Sequence, residues 1–223
     1  MNSSDRNPGL KARSAAKPLA ALSVALLALS GCTSVIAPLL KPEIVAEISA
    51  LPAGDWTLDP AHAALLFRIN HLGYSDLVGR FEVFDASLTG DAADPASARA
   101  EAIIDMTSLD MANDAFAAEL MGPKFLDAAR YPQAVFRTLA VQPGEAGATI
   151  VDGELTLHGV TRPIRLDVQF NGTAFDPIRG TQVAGFSASA VIDRSAFGVS
   201  AYSGLVTDEV RIEIQTEFLK RKS

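Results

Sequence analysis

The side chains able to do chemistry on their own are few. The chain of 223 residues has one cysteine, Cys32, and three histidines, His62, His71 and His158. Three imidazoles can hold a zinc ion that keeps a fourth position open for water. The spacing argues against such a site. His62 and His71 are nine apart, which is no helical pair, His158 falls at a hairpin end, and no carboxylate motif frames them. Histidines hydrogen-bonded at strand ends, and no metal, are expected. Ser195 stands in "DRSAFG", without the glycines or the strand–turn–helix setting of an activated serine. Arg194 beside Asp193 reads as a structural pair near a strand end. No catalytic group is assigned, and the expected class is not an enzyme.

Cys32 has no second cysteine to pair with, so its bond is of another kind. It follows a basic start (Lys11, Arg13, Lys17) and an apolar run of 12 residues, Pro18 to Leu29. A membrane-spanning helix needs about 20 residues. A basic start, a short apolar core and small residues at the exit form a secretory signal. Leu29-Ser30-Gly31-Cys32 resembles the bacterial lipobox. That resemblance implies a diacylglyceryl group on the Cys32 thiol, cleavage before it, and acylation of the new amino terminus, for example with palmitate. The alternative is a core helix with an incidental cysteine, which the proline-rich stretch directly after Cys32 argues against. One acyl chain binds a membrane marginally, and two or more hold firmly. No aspartate follows the cysteine, which in Gram-negative sorting implies the outer membrane, facing the periplasm.

Residues 1–31 are thus expected to be a lipoprotein signal peptide. The remaining 192 residues carry 15 basic and 25 acidic side chains, a net charge of −10. Phosphate contacts need clustered lysine and arginine, so no nucleic-acid partner is expected, and a flat approach to anionic lipid is disfavoured. Residues 32–55 contain Pro38, Pro42 and Pro52 and read as a lipid-anchored tether. At about 3.3 Å per residue it could reach roughly 70 Å. The alternative, with Ile44, Val45 and Ile48 packed on the domain, is equally open.

From Trp56 the hydrophobic period becomes two. Leu65, Phe67, Ile69 and His71 share one face, as do Ile164, Leu166, Val168 and Phe170, and Val210, Ile212, Ile214 and Thr216. Such alternation marks half-buried antiparallel strands. About eight strands are expected over residues 56–219, linked at "HGVTRP" (158–163) and turning at Asn171-Gly172, with a bulge near Glu82 or Val83. "NDAFAAELMGPKFLDAARYP" (113–132) breaks the pattern. Asp114 can cap a helix with Phe116 and Leu120 on one face, and Pro123 can open a second short helix. The fold class is all-β: an antiparallel eight-stranded barrel with a short helical insertion. A barrel of this size is filled by side chains or holds one small ligand. Ala134, Thr138, Gly185, Ala188 and Ala190 would leave room inside if they face inward, but small residues also suit a packed barrel, so both readings stand on pattern alone.

Five blocks bear on the choice: "TLDPAHA" (57–63), "NHLGYSDLVGRFEVF" (70–84), "KFLDAARYPQAVF" (124–136), "GELTLHGVTRPIRLDV" (153–168) and "GFSASAVIDRSAFGV" (185–199). In this order they resemble the YceI-like, polyisoprenoid-binding family, over essentially Trp56 to Phe218. Ala63 stands where that family commonly has serine, and Leu126 where it commonly has a second aromatic. The resemblance implies a lipocalin-like barrel enclosing a long isoprenoid such as a quinone tail, without cofactor. Phe67, Ile69, His71, Phe81, Phe84, Phe125 and Phe136 are the candidate ligand-binding residues, with His71 placed to meet a headgroup. The partners expected are an apolar isoprenoid lipid and, through Cys32, a membrane. A packed barrel serving as an envelope-stress or protein-interaction module is the alternative.

Overall fold

A computed structural model describes residues 40–145 and 148–222. The expected signal peptide (1–31), Cys32 and the first part of the expected tether lie outside the described residues. Among the described residues, no helix is long and apolar enough to cross a membrane.

The strands are β1 (Gly54–Leu58), β2 (Ala64–His71), β3 (Ser75–Phe81), β4 (Phe84–Asp91), β5 (Asp94–Asp105), β6 (Leu109–Asp110), β7 (Gln133–Pro143), β8 (Thr149–Leu157), β9 (Val160–Asp176), β10 (Thr181–Asp193) and β11 (Val206–Lys220). All neighbours are antiparallel, and β1 and β2 both pair with β11, through Leu58↔Phe218 and Ala64↔Gln215. They are two halves of one stave, parted by the 3-10 turn Pro60–His62. In the same way β3 continues into β4, and β5 into β6. Counting each broken stave once, the sheet is an eight-stave, up-and-down barrel closed by the β1–β11 pairing. This is the expected architecture, and a closed ring leaves no free sheet edge.

The expected bulge at Glu82–Val83 is a complete break. A second break, the 3-10 turn Met106–Ser108, lies beside it and the two knit together. Glu82 N–H donates to the Ser108 carbonyl (3.1 Å), Val83 N–H to Ser108 Oγ (3.0 Å), and Asp105 N–H to the Val83 carbonyl (3.0 Å). Two kinked staves therefore keep their backbone groups satisfied.

Two expected turns are corrected. The link after β8 is only His158-Gly159, both with positive φ (53° and 75°), the two-residue geometry that matches strand twist. Pro163 sits inside β9, opposite Glu154. Asn171-Gly172 is also inside β9. Gly172 (φ 130°) lies where the β9–β10 register shifts, and the chain turns instead after Asp176. Glycine there serves a bulge, which a local reading cannot distinguish from a turn.

The insertion forms one helix, α1 (Asp114–Met121). Its N-cap is Asn113, whose Oδ1 accepts from Phe116 N–H (3.0 Å), and Asp114 is the first helical residue. The second helix expected from Pro123 is absent; residues 123–130 are turns. Asp127 has φ 45°, which breaks a right-handed helix. The returning chain instead satisfies the helix end, with Leu126 N–H on the Leu120 carbonyl (3.0 Å) and Ala128 N–H on that of Met121 (2.9 Å).

Residues from Pro42 onward form one compact unit. Val45 exchanges two backbone hydrogen bonds with Thr173 (3.0 and 2.9 Å), and Leu51 packs against the buried cluster of Trp56, Leu58, Phe170, Ala184 and Phe218. The stretch 45–53, expected as tether, is thus docked on the barrel.

Gly153 shows why a small residue is needed in a barrel wall. A Cβ there would run into the Phe136 ring and lie 2.6 Å from the Arg137 carbonyl. The ring can swing, but the backbone must shift. Gly153→Ala should lower stability by about 1–3 kcal/mol, the usual range for overpacking, as read by urea denaturation. Unchanged stability would mean that the β7–β8 seam is looser than this contact implies.

Candidate functional site

The inward rows of β2, β9 and β11 line an interior cavity of about 570 Å³. Ligand pockets are typically about 300–1,000 Å³. Every one of the three faces read from alternation points into it. Phe67, Ile69, His71, Phe81, Phe84, Phe125 and Phe136 all line the wall. So do Ala134, Thr138 and Ala188, which leave the room that larger residues would fill. Gly185 does not. It lies between the inward Ala184 and Phe186, so the strand period itself turns it outward, onto a polar groove that it shares with Gly172 and Asn171. Ala190 is buried in the wall.

Aromatic rings organise the interior. Phe67 and Phe81 meet at 5.8 Å between centroids, and Phe67 lies over its cross-strand partner Gly79. Toward the β1 end, Phe170, Phe186 and Phe218 stack in series (5.3 and 5.9 Å). The insertion supplies part of the wall through Phe116, Leu120, Phe125 and Leu126, and the docked N-terminal stretch adds Ile48 and Leu51. The 32–55 boundary hid these last two. Trp56, fully buried and also lining the cavity, was at the edge of the strand pattern.

The wall has one soft seam. Among the described residues, β5–β7 pairing runs only from Glu101↔Arg137 to Asp105↔Gln133. Beyond it Ala100 N–H donates to Thr138 Oγ1 (3.1 Å), and Arg99 turns its guanidinium onto the Ala96 and Ala98 carbonyls of its own strand (2.9 and 2.7 Å). Residues 96, 98 and 100 share one strand edge, so Arg99 satisfies acceptors that the neighbouring strand leaves free. Ala98, Ala100, Thr138 and Val141 flank this seam and line the cavity.

Arg194 is the buried charge of the site. It does not pair with Asp193. Its guanidinium donates to the carbonyls of Val199 (2.8 Å), Ala201 (2.9 Å) and Thr207 (3.1 Å), and forms an ion pair with Asp208 (2.9 Å). It thereby fixes the loop between β10 and β11, whose Val199, Ala201 and Tyr202 line the cavity. Asp193 instead caps the following turn. It accepts from Ser195 Oγ (2.6 Å) and Ser195 N–H (2.8 Å), and the Ser195 hydroxyl holds its carboxyl below the usual range. Ser195 is committed to that cap.

The histidines lie apart. His71 faces the cavity. His158 packs edge-on to Tyr131 (4.7 Å), with Nδ1 3.2 Å from the Phe197 carbonyl. His62 is paired with Asp59 (2.9 Å). Asp59, His62 and Glu217 are close enough to share a cation, but Arg179 already stands among them. Its Nη1 is 2.6 Å from Glu217 and 3.6 Å from Asp59, and its Nε is 3.5 Å from Asp176. The Arg179 and Ile178 amides and the Arg179 charge hold the Asp176 carboxyl low. This cluster ties the β9–β10 turn to the β1–β2 break.

Known proteins place this geometry. Residues 56–218 match the model of the YceI-like domain. A UPF0312 protein of Yersinia pestis is 36% identical over 172 residues, 76% of this chain and 88% of that protein. Burkholderia cenocepacia BcnA superposes with a TM-score of 0.65 at 26% identity, covering 72% of this chain and 98% of its own. A polyisoprenoid binding domain from Saccharophagus degradans superposes with a TM-score of 0.55 at 16% identity, over 74% and 98% of the two chains, a likeness of fold.

Removing the Arg194 guanidinium would leave four carbonyls, those of Val199, Ala201, Val206 and Thr207, and the Asp208 carboxylate without their donor. Arg194→Ala should cost about 3–5 kcal/mol, the range for breaking a buried ion pair, and should raise amide exchange across residues 199–207. Exchange confined to wild-type rates there would show that the loop is ordered by something other than this side chain.

Proposed function

We propose that the chain, which belongs to the YceI-like family, binds a long-chain isoprenoid of the quinone type, or a similar apolar lipid, inside its barrel. It acts as an exported lipoprotein that stores or carries this lipid in the cell envelope, held through Cys32 in the outer membrane and facing the periplasm. It is a binding module without catalysis. The single observation that carries the reading is the continuous apolar cavity, walled by the inward rows of every long strand and by the insertion. The polyisoprenoid binding domain of Saccharophagus degradans has the same fold, which supports the ligand class.

The energetics suit a carrier. At about 0.8 kcal/mol per buried CH₂, a 40-carbon tail would gain roughly 30 kcal/mol on leaving water. That exceeds the practical ceiling of about 18–21 kcal/mol for non-covalent binding. The tail, however, starts in a bilayer, which is equally apolar. Net transfer into the barrel is therefore near neutral, and loading and unloading both proceed.

Native mass spectrometry of the purified protein, with extraction and identification of bound material, is the direct test. The expected result is a discrete extra mass matching an isoprenoid. Ala134→Trp, which places an indole on the buried inner wall, should abolish or sharply reduce it. A bare polypeptide mass that persists after incubation with quinones would favour the packed, protein-interacting barrel instead. The anchor is tested separately: Cys32→Ser should block processing or release the protein from membranes, and a fully lipidated Cys32→Ser species would refute it.

A further inference from the structure

Two turns stand side by side at the end of the barrel where β2 meets β3 and β10 meets β11. His71 pairs with Val206 across them. The first is a three-residue loop, Leu72-Gly73-Tyr74, in which Leu72 and Gly73 both have positive φ (57° and 77°), closed by Tyr74 N–H on the His71 carbonyl (3.0 Å). In the second, Tyr202 and Gly204 have positive φ (58° and 88°), and Leu205 and Val206 N–H both donate to the Tyr202 carbonyl (3.0 Å each). Asparagine, aspartate or glycine suits these positions, because a branched or bulky side chain there strains the backbone. Here the strained positions carry leucine and tyrosine.

For Leu72 packing does not repay the strain, and Tyr202 is only partly compensated, by the Phe125 ring and by Lys124, whose Nζ lies 4.0 Å from its ring centroid. Leu72 is 49% exposed, Tyr74 85%, Tyr202 48% and Leu205 62%. The turns are nevertheless stiff. Gly73 N–H donates to Asn70 Oδ1 (2.8 Å), Ser203 Oγ to Asp208 (2.7 Å), and Arg194 holds the loop from beneath. Four large apolar side chains are thus held outward on ordered backbone. Tyr202 belongs to both surfaces, since it also lines the cavity beside Phe125 (ring centroids 5.9 Å) and receives Lys124 on its hydroxyl (2.7 Å). At the other end Phe175 and Ile178 are as exposed but do not line the cavity, and Ile48, 42% exposed, lines it singly and outside any strained turn.

We propose that Leu72, Tyr74, Tyr202 and Leu205 form a rim that dips into the surface of a lipid bilayer and sets the cavity mouth against it. The proposal rests on the apolar-lipid reading above. The occupant follows from three facts. The patch continues through Tyr202 into an apolar cavity, so its partner shares the chemistry of the cavity's contents. Two turn tips are far smaller than the roughly 800 Å² per partner of a stable protein interface. Leucine with tyrosine, an apolar body with a polar tip, is the mixture that settles at the membrane–water boundary. The chain's net charge of −7 gives no attraction to anionic lipid, so docking is apolar and persists at high salt.

The test uses the full chain with Cys32→Ser, carrying one environment-sensitive fluorophore at Ser75→Cys beside the rim, or at Ala93→Cys at the opposite end. It is mixed with phosphatidylcholine vesicles containing spin-labelled lipid. Quenching at position 75 should exceed that at 93 several-fold, both in low salt and in about 1 M salt, where the Debye length is about 3 Å against about 30 Å at 0.01 M. Leu72→Asn with Leu205→Ser should bring it down to the level at 93. Leu72→Asn should hold or raise the melting temperature, because asparagine accepts positive φ, so lost docking is not lost fold. Equal quenching at the two positions, or quenching unaffected by the double variant, overturns the proposal. Loading with an isoprenoid added from detergent is read in parallel by native mass spectrometry. If that loading fails in the wild type, the cavity reading is wrong whatever the quenching shows. If it succeeds while position 75 is not quenched, the rim is wrong and the cavity stands.

Discussion

The structure depends on how β11 closes the ring. Its 15 residues pair along one edge with β10 and along the other with β2 and then β1. A shorter strand would leave β1 or β2 unpaired, and the sheet would open. Closure also fixes the interior. Eight tilted staves enclose a space that side chains can just fill or that can admit one ligand. Which occurs is decided at a few inward positions. Alanines at 102, 134 and 188 and Thr138 face the same space as Phe67, Phe81 and Phe136. The rings alone are not enough to close it.

The two ends of this tube are built differently. At the β1 end, Trp56, Leu58, Phe170, Ala184 and Phe218 form a buried cluster that the docked stretch through Leu51 completes. At the other end the wall consists of inserted structure: α1, the turns that follow it, and the loop held by Arg194. Backbone satisfaction there comes from caps and one buried guanidinium instead of from ladder pairing. Structure of that kind opens at lower free energy than a paired strand. The inserted wall of α1 and the turns that follow it is therefore the part of that end best able to move, while the neighbouring turns at Leu72 and Tyr202 are pinned by Asn70, Asp208 and Arg194.

Much of this was legible from period alone. The inward faces of β2, β9 and β11 follow from simple alternation, because one misplaced residue would turn a whole row of apolar groups to water. Among the seven candidate wall residues, Phe67, Ile69 and His71 lie on the cavity for the same reason, whereas Phe81 and Phe84 flank the break at 82–83 and Phe125 comes from the insertion. What could not be read were features set by tertiary context. Asn171-Gly172 has the local form of a turn but serves a bulge, since β10 pairs along it on both sides. Pro123 has the form of a helix start, but the returning chain is needed to satisfy the carbonyls of Leu120 and Met121. Arg194 beside Asp193 suggests a neighbour pair, yet its true partners lie on the far side of a loop. Ile48 and Leu51 sit in a proline-rich stretch with no period, and only the Val45–Thr173 bridge shows that they dock.

A polar wall would have made a different protein. Hydrogen-bonding groups lining a cavity discriminate between ligands because any left unpaired is costly. Here the polar groups on the wall are few, and the most prominent are already engaged: Arg194 by carbonyls and Asp208, Thr138 by Ala100 N–H. Selectivity then rests on length and cross-section, both set by the inward small residues. Such a site discriminates weakly between chains of one thickness, since each methylene is worth only about 0.8 kcal/mol and the bilayer offers the same. On the proposed function, exchange with a membrane would be governed by access to the cavity more than by affinity. The backbone strain at Leu72 and Tyr202 accords with the proposed rim, since it falls at the end opposite the buried cluster of Trp56, Leu58, Phe170, Ala184 and Phe218.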